Sequence, residues 1–334
     1  MQTPMQPLGE TEIAQAGVKL QRLRAELNNV LFGQEALIDG VLTGLLARGH
    51  LLLEGLPGLG KTELVKALSR AMSLEAKRIQ FTPDLLPGDI TGSPILQETA
   101  GGGRAFVFQP GPLFGNLVLA DEINRASPKT QSALLEAMQE RRVTVMGTTH
   151  TLPDPFFVVA TQNPIELEGT YPLPEAQLDR FLFKLDVPRA GAAVLERIVM
   201  GREMGVEPTV SAVLTRDELA ELTALARRIY LPPVVGNYIA RLVDATHSQP
   251  GVKFGASPRA ALGLAAASRA RALLEGRINA SFEDVAAIAQ PVLGHRVLLD
   301  YSARLAGETS TAIVARILES VPRQDLNIPT LLSE

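Results

Sequence analysis

The sequence contains no cysteine and no tryptophan, and aromatic residues make up only 4% of its 334 residues. Without cysteine, disulfide bonds, thiolate metal sites and cysteine nucleophiles are excluded, and a reducing compartment is expected. The four histidines, at positions 50, 150, 247 and 295, are too scattered to form a local metal motif. No apolar run reaches the length of about 18 residues that spans a bilayer, and residues 1–17 lack the basic and apolar segments of a secretory signal. We therefore expect a cytoplasmic protein with no membrane span.

Charge of one sign is not in excess, since 32 basic residues face 36 acidic ones and the formal net charge is −4. Nothing in this balance indicates a surface for polyanions. Apolar residues make up 46% of the chain and charged residues 20%, as in ordinary globular proteins. The length predicts about two domains, each large enough to bury a core.

Short apolar runs alternate with helical periodicity from about residue 16 to residue 188, after a loose leader at 1–15. This alternation is typical of an α/β domain with a parallel sheet between helices. The predicted strands, each expected to be apolar on both faces as in a buried parallel sheet, are Leu51–Glu54, Arg78–Phe81, Leu117–Ala120, Phe156–Ala160 and Leu182–Val187.

Two segments interrupt the alternation. Residues 90–113 contain three consecutive glycines between apolar runs, and residues 141–156 contain the breakers Gly147 and Pro153. Both predict hairpins, which could be ordinary surface hairpins.

The second domain, residues 189–334, is predicted to be all-helical. Alanine, leucine and arginine recur there at helical spacing. Thr215 with Glu218, and Ser281 with Asp284, have the spacing of capping boxes at helix N-termini.

Residues 55–62 match the phosphate-loop pattern G-x-x-x-x-G-K-T, between a predicted strand and a predicted helix. The glycines let the backbone N–H groups point inward, and the following helix adds its positive end. Lys61 is expected to reach the β- and γ-phosphates, and Thr62 to supply a hydroxyl to Mg²⁺. The nucleotide-binding candidates are Gly55, Leu56, Pro57, Gly58, Leu59, Gly60, Lys61, Thr62 and Glu63.

Polar side chains follow two further predicted strands. Asp121 and Glu122 end an apolar strand about 60 residues after the loop, and Asn163 follows the next strand. Ligands of α/β sheets bind at the carboxyl ends of strands, so these side chains are expected beside the phosphates. We predict that Asp121 holds Mg²⁺, that Glu122 is the general base for the attacking water, and that Asn163 bonds the γ-phosphate and that water. Asn163-Pro164 could equally be a simple turn.

Two arginines are candidates for contacts to the phosphates. Arg180 precedes the last predicted strand and could neutralise charge at a neighbouring subunit's γ-phosphate, or could form a surface ion pair. Arg259 follows Ser257-Pro258, a helix start, so it would project from a fixed first turn as a sensor of nucleotide state.

In this order, the motifs resemble those of the AAA+ ATPases: Walker A at 55–62, Walker B at 117–122, a sensor 1 asparagine at 163, an arginine finger at 180 and a sensor 2 arginine at 259. The chain is more closely similar to the MoxR family from about residue 16 to about 325. The segments that show this similarity are Phe32–Glu35, His50–Gly55, Phe106–Phe114, Asp121–Pro128, Ala160–Pro164 and Leu173–Phe181.

The resemblance implies a five-stranded AAA+ core followed by a helical lid, with ATP and Mg²⁺ bound in the crevice between them. It implies a homo-oligomeric ring, usually a hexamer, in which residues 90–113 are the helix-2 insert and residues 141–156 the hairpin before sensor 1. Gln34 would lie near the adenine, and Arg125 is a further candidate for contact with a neighbouring subunit. The expected role is chaperone-like remodelling of a protein client, often one with a von Willebrand factor A domain.

Three other classes of protein use the same ATPase core or the same phosphate-binding loop. A metal-chelatase subunit is compatible with the sequence, because another subunit would bind the metal. A nucleic-acid motor is disfavoured by the near-neutral charge, by the seven lysines and by the scarcity of aromatics for base stacking. A small-molecule kinase is the least favoured, since no acceptor pocket is evident in the sequence.

Overall fold

The structure is a computed structural model that describes residues 9–98, 103–164, 169–203 and 205–323. The chain forms two compact units: Val18–Ala224, called here the sheet unit, and Met1–Gly17 with Leu225–Glu334, called here the helical unit. The sheet unit thus continues beyond residue 188, where the sequence predicted a domain boundary. The first helix begins at Glu10, inside the predicted leader.

The secondary structure follows the predicted order. The strands are β1 (Leu51–Glu54), β2 (Ala76–Gln80), β3 (Gly92–Glu98), β4 (Arg104–Pro110), β5 (Leu117–Asp121), β6 (Arg142–Val145), β7 (Thr148–Thr151), β8 (Phe157–Gln162), β9 (Phe183–Asp186), β10 (Val252–Phe254) and β11 (Leu298–Leu299). The helices are α1 (Glu10–Asn28), α2 (Glu35–Leu46), α3 (Lys61–Ala71), α4 (Pro87–Thr91), α5 (Pro128–Glu140), α6 (Glu175–Leu178), α7 (Ala192–Gly201), α8 (Arg216–Arg228), α9 (Pro233–Ser248), α10 (Pro258–Leu274), α11 (Phe282–Leu293), α12 (Tyr301–Leu305) and α13 (Ser310–Ser320).

The five predicted strands form one parallel sheet, in the order β2-β5-β8-β1-β9. The three middle strands are apolar and buried, as predicted for the interior of a parallel sheet. The prediction fails for β2, which lies at the edge and buries only Ile79. Because all five strands run the same way, the loops after β1, β5 and β8 lie at the same edge of the sheet.

The imidazole of His50 joins strand β8 of this sheet to helix α5 by two hydrogen bonds. His50 precedes β1, and its Nδ1 accepts a hydrogen bond from the Val158 N–H of β8 at 3.0 Å. Its Nε2 therefore carries the proton and donates to the Met138 carbonyl of α5 at 3.1 Å. The ring packs edge-on against Phe156. Burial lowers the pKa of His50 to about 4, and the nearby positive charge of Arg141 acts in the same direction.

Both interruptions of the alternation are antiparallel hairpins, as predicted. Strands β3 and β4 pair over their full length, and β6 pairs with β7. Phe108 of the first hairpin stacks on His150 of the second, with ring centroids 3.8 Å apart. Two of the three consecutive glycines, at 101–102, lie outside the described residues.

The helical unit is built from packed α-helices with the predicted caps. Ser281 and Asp284 form a capping box at α11, and α10 starts with Ser257 as N-cap and Pro258 as its first residue. The short antiparallel pair β10–β11 was not predicted, because two or three apolar residues give no periodic signal. In the described ranges, no helix is both long and apolar enough to cross a membrane.

Candidate nucleotide-binding site

The loop between β1 and α3 has the geometry of a phosphate-binding loop. Gly58 and Gly60 adopt φ values of 79° and 85°, a left-handed conformation that glycine reaches without strain. A Cβ on Gly55 would lie 2.9 Å from the Cβ of Val187, the residue after β9, so the backbone comes closer to this side chain than a Cβ allows. Lys61 begins α3 and donates from Nζ to the Gly55 carbonyl at 2.6 Å. Leu56, between these residues, is half-buried in the loop.

The loop forms one wall of a cavity of about 370 Å³. Its opposite wall is made by the carboxyl ends of β5 and β8 and by the edge strand β2. The residues predicted from separate motifs therefore lie together, and those that line the cavity are Pro57, Gly58, Gly60, Lys61, Thr62, Glu63, Asp121, Glu122 and Asn163. Arg78 and Gln80 of β2 complete the lining.

The two acidic residues at the end of β5 are held in different ways. Asp121 is buried, and its Oδ1 accepts a hydrogen bond from the Thr161 hydroxyl at 2.6 Å. The Thr161 Oγ1 in turn accepts the backbone N–H of Glu122 at 2.9 Å. Glu122 itself has φ 56° and ψ 50°, which turns the chain sharply out of the strand. This turn directs the second carboxylate away from the line of the strand while the first remains buried at its end.

Each carboxylate has a partner on the edge strand that the sequence analysis missed. The Arg78 Nη2 lies 2.7 Å from Asp121 Oδ2, and Gln80 Nε2 donates to Glu122 Oε2 at 2.7 Å. Arg125, predicted to contact a neighbouring subunit, pairs in its own chain with Glu122 Oε2 at 3.0 Å. Arg78 and Gln80 are two positions apart on a strand and so share a face. That spacing was the available signal, but only the pairing of β2 with β5 shows what the face meets.

Asn163 lies directly after β8, where the sequence placed it, and is buried beside the Walker-type acids. The end of its strand is fixed by Gln162, whose Nε2 donates to Glu54 of β1 at 2.6 Å. The amide of Asn163 thus lines the same cavity as Lys61 and Glu122.

A second cavity, of about 400 Å³, adjoins the other side of the loop. Gln34 lines it and donates from Nε2 to the Leu59 carbonyl of the loop at 3.2 Å, while its buried Oε1 has no partner. Phe32 forms part of the wall, with the Arg197 guanidinium 4.3 Å from its ring centroid. An aromatic side chain beside an unpaired acceptor is chemistry that suits an aromatic base with an amino group, and the position of Gln34 near the adenine stays a prediction.

Arg180 and Arg259 were predicted to contact phosphates. Arg180 lines a separate cavity of about 320 Å³ against α5, and its Nη1 donates to the Leu135 carbonyl at 2.8 Å. Within its own chain, then, Arg180 is not among the residues around the phosphate loop. Arg259 lies in the first turn of α10 in the helical unit, as the sequence predicted.

The side chains that line the cavity include oxygen ligands suited to Mg²⁺, and the loop beside them suits a triphosphate. Mg²⁺ prefers oxygen ligands from one or two protein groups and keeps several waters. The hydroxyl of Thr62 and the carboxylate of Asp121 are such groups and line one cavity. A Cβ at Gly58 would meet nothing within 4 Å, so the loop leaves open space where phosphates bind.

Comparison with known proteins agrees with this geometry. Residues 50–183 match the family model described as "ATPase family associated with various cellular activities (AAA)", and residues 244–317 match the AAA lid domain. The chain is 43% identical to "Chaperone MoxR1" of Mycobacterium tuberculosis, over 96% of this chain and 86% of that protein. It is 31% identical to "Protein MoxR" of Methylorubrum extorquens, over 90% and 94%.

A solved structure shows the same fold. The crystal structure of a Cytophaga hutchinsonii protein superposes with a TM-score of 0.86 at 38% sequence identity, over 94% of this chain and 97% of that one. Two relatives named MoxR match along most of their length, and the core and lid models match in the predicted order. The chain therefore belongs to the MoxR family of AAA+ ATPases.

Proposed function

We propose that this protein hydrolyses Mg·ATP at the cavity beside the phosphate loop, and that it works as a homo-oligomeric ring, a hexamer, which remodels or activates a protein client. The observation that supports the catalytic part is the meeting of Lys61, Thr62, Asp121, Glu122 and Asn163 around one cavity. These residues come from three strand ends, and together they supply a phosphate cradle, oxygen ligands and a carboxylate base.

Each side chain has a distinct task in this proposal. Lys61 leaves the Gly55 carbonyl and bonds the β- and γ-phosphates. Bound Mg²⁺, held by Thr62 and Asp121, supplies charge neutralisation at the phosphates. Glu122 accepts a proton from the attacking water, while Gln80 and Arg125 hold its Oε2. Asn163 donates to the γ-phosphate and orients the water.

The position of Arg180 supports a site shared between subunits. Its guanidinium lines a different cavity from that of the phosphate loop of its own chain. An arginine in that position can supply transition-state charge only to another copy's nucleotide. We assign Arg259 the role of reporting nucleotide state to the lid.

The chaperone-like role rests on the relative named "Chaperone MoxR1". We propose that the client has a von Willebrand factor A domain and binds the two hairpins. Large apolar side chains on them are exposed, among them Leu96, Phe106 and Met146.

The shared site is tested with Arg180→Ala. We expect turnover to fall by about 10³-fold or more with ATP binding retained, because finger arginines contribute about 10³ to 10⁵ in rate. Arg316→Ala is the matched control, since Arg316 is an exposed arginine in an ion pair with Glu308 on the helical unit. Specific activity of the wild type should also rise with protein concentration as rings form. Full activity of Arg180→Ala would refute the shared site.

The client is tested by capture from a native lysate. Glu122→Gln should bind ATP without hydrolysing it, and Lys61→Ala should bind nucleotide poorly. Enrichment of a protein with a von Willebrand factor A domain on Glu122→Gln alone would support the proposed client. Recovery of nucleic acid, or of chelatase subunits, would contradict it and leave the ATPase site in place.

A further inference from the structure

One buried amide joins the loop of the catalytic base to the segment that precedes Arg180. Gln131, in the first turns of α5, is fully buried. Its Nε2 lies within hydrogen-bond distance of three backbone carbonyls, Ile123 at 3.1 Å, Ala126 at 3.2 Å and Tyr171 at 2.8 Å, so its two hydrogens serve three acceptors and one N–H is shared.

The first two carbonyls belong to the turn that follows Glu122. This turn, Ile123–Arg125 with Ala126 as the residue that ends it, also contains the arginine that pairs with Glu122. The third carbonyl belongs to the segment that leads through α6 to Arg180. A second bond joins the same two segments directly, since the Tyr171 N–H donates to the Asn124 carbonyl at 2.6 Å.

The orientation of the amide is fixed by chemistry. All three neighbours of Nε2 are acceptors, so the oxygen cannot exchange places with the nitrogen without meeting three carbonyls. Oε1 is buried and has no partner. A buried polar atom without a partner costs free energy, so a leucine would avoid that cost. A leucine would also leave the three carbonyls without this donor, so the half of the amide that acts on its surroundings is the nitrogen.

We propose that Gln131 is a positioning residue that couples the catalytic base of one subunit to the arginine that the same subunit presents to its neighbour. The inference rests on the proposed function, because it requires that Arg180 act on another copy. A shift of the turn after Glu122 on nucleotide binding or hydrolysis moves the Ile123 and Ala126 carbonyls. Through the Gln131 amide the shift is passed to the Tyr171 carbonyl, and so to the segment before Arg180.

The first test compares Gln131→Leu with Leu134→Ala, which perturbs the same core from the same helix but leaves the hydrogen bonds in place. We expect Gln131→Leu to lower kcat by about tenfold or more, because a misplacement of about 1 Å can cost about 10²-fold. The KM for ATP should change little, since Gln131 does not line the nucleotide cavities. Leu134→Ala should lower Tm at least as much and retain turnover. Equal turnover in the two variants would overturn the proposal.

The second test separates the two ends of the connection by mixing subunits. Glu122→Gln has a dead site and an intact finger, while Arg180→Ala has an intact site and no finger, so their mixture should regain activity. Adding Gln131→Leu to the Glu122→Gln subunit changes only the donor of the finger. We expect the regained activity to fall about tenfold, since the displaced segment carries the finger.

The outcomes of the mixing experiment are distinguishable. Undiminished activity with the altered donor would refute the link from Gln131 to Arg180 and would leave the shared site standing. Failure of the two parent variants to regain any activity would refute the shared site itself, and with it the coupling.

Discussion

Stability should depend on pH through His50, although this residue takes no part in the proposed chemistry. In the folded chain, both of its ring nitrogens are used, since Nδ1 accepts from Val158 and Nε2 donates to Met138. Protonation at Nδ1 would break the first bond and place a charge in the buried side of the sheet, near the positive charge of Arg141. The fold therefore holds the pKa of His50 at about 4, below its ordinary value of 6.5.

The direction of the effect follows from these two pKa values. Above pH 6.5 the imidazole is neutral in both states, and its contribution to stability is complete. Between pH 6.5 and 4, His50 binds a proton in the unfolded chain but not in the folded chain. The free energy of unfolding therefore falls as the pH falls. The difference between the values corresponds to about 3 kcal/mol of unfolding free energy, lost in full below pH 4.

His50→Gln tests this reasoning, because an amide can both accept and donate but does not titrate. Urea unfolding followed by circular dichroism at several pH values from 7.5 to 4 would give the free energy for both proteins. We expect the variant to be less stable at pH 7.5, because its geometry is imperfect, and to lose less stability on acidification. The two curves should converge by about 3 kcal/mol. Parallel curves would show that His50 does not titrate in this range and would refute the argument.

Three further predictions concern the surroundings of the site. Gly55→Ala should weaken ATP binding in a titration and lower Tm, because its Cβ would lie 2.9 Å from the Val187 Cβ and overpacking costs about 1–3 kcal/mol. Gln80→Ala should raise basal kcat by about threefold to tenfold, since it removes a donor that competes with the attacking water for the Glu122 carboxylate; a fall would mean that Gln80 orients the carboxylate. The hydrogen bonds from Lys66 and Arg70 lower the pKa of Glu207 to about 2. The substitution Glu207→Gln removes these ion pairs and should lower Tm. The fall in Tm should be smaller at about 1 M salt, which screens the ion pairs in the wild type.

The sequence predicted those parts of the fold that depend on local patterns. The five sheet strands, both hairpins and the helix starts at Thr215, Ser257 and Ser281 each have a signal within a few residues, such as an apolar run, a glycine turn or a cap. Nine of the eleven residues that line the 370 Å³ cavity were predicted for the same reason, since they belong to the phosphate loop or follow β5 and β8. Each is next to the end of a strand, and parallel strands bring their ends to one edge.

What the sequence did not predict depends on which strands and loops become neighbours. We expected β2 to be buried on both faces, and this prediction was wrong. The order of strands in the sheet is not encoded in any one strand, and β2 lies at the edge, where it buries only Ile79. For the same reason Arg78 and Gln80 were missed. Their partners, Asp121 and Glu122, are more than 40 positions away in the chain and adjacent only because β2 pairs with β5.

Arg78 and Gln80 also determine which partners the two acidic residues of the site have before nucleotide binds. Asp121 Oδ2 is paired with Arg78, and Glu122 Oε2 with Arg125 and Gln80, so one oxygen of each acid is engaged by these partners. Because exposed ion pairs are worth only about 0–1 kcal/mol and both arginines are partly exposed, any movement that frees these oxygens would draw a small share of the binding energy of Mg·ATP. That energy is available only when phosphates fill the loop and Lys61 moves to meet them. The ion pairs would thus weakly favour hydrolysis of a fully seated nucleotide, which is the direction that an ATPase needs if turnover is to be coupled to work on a client.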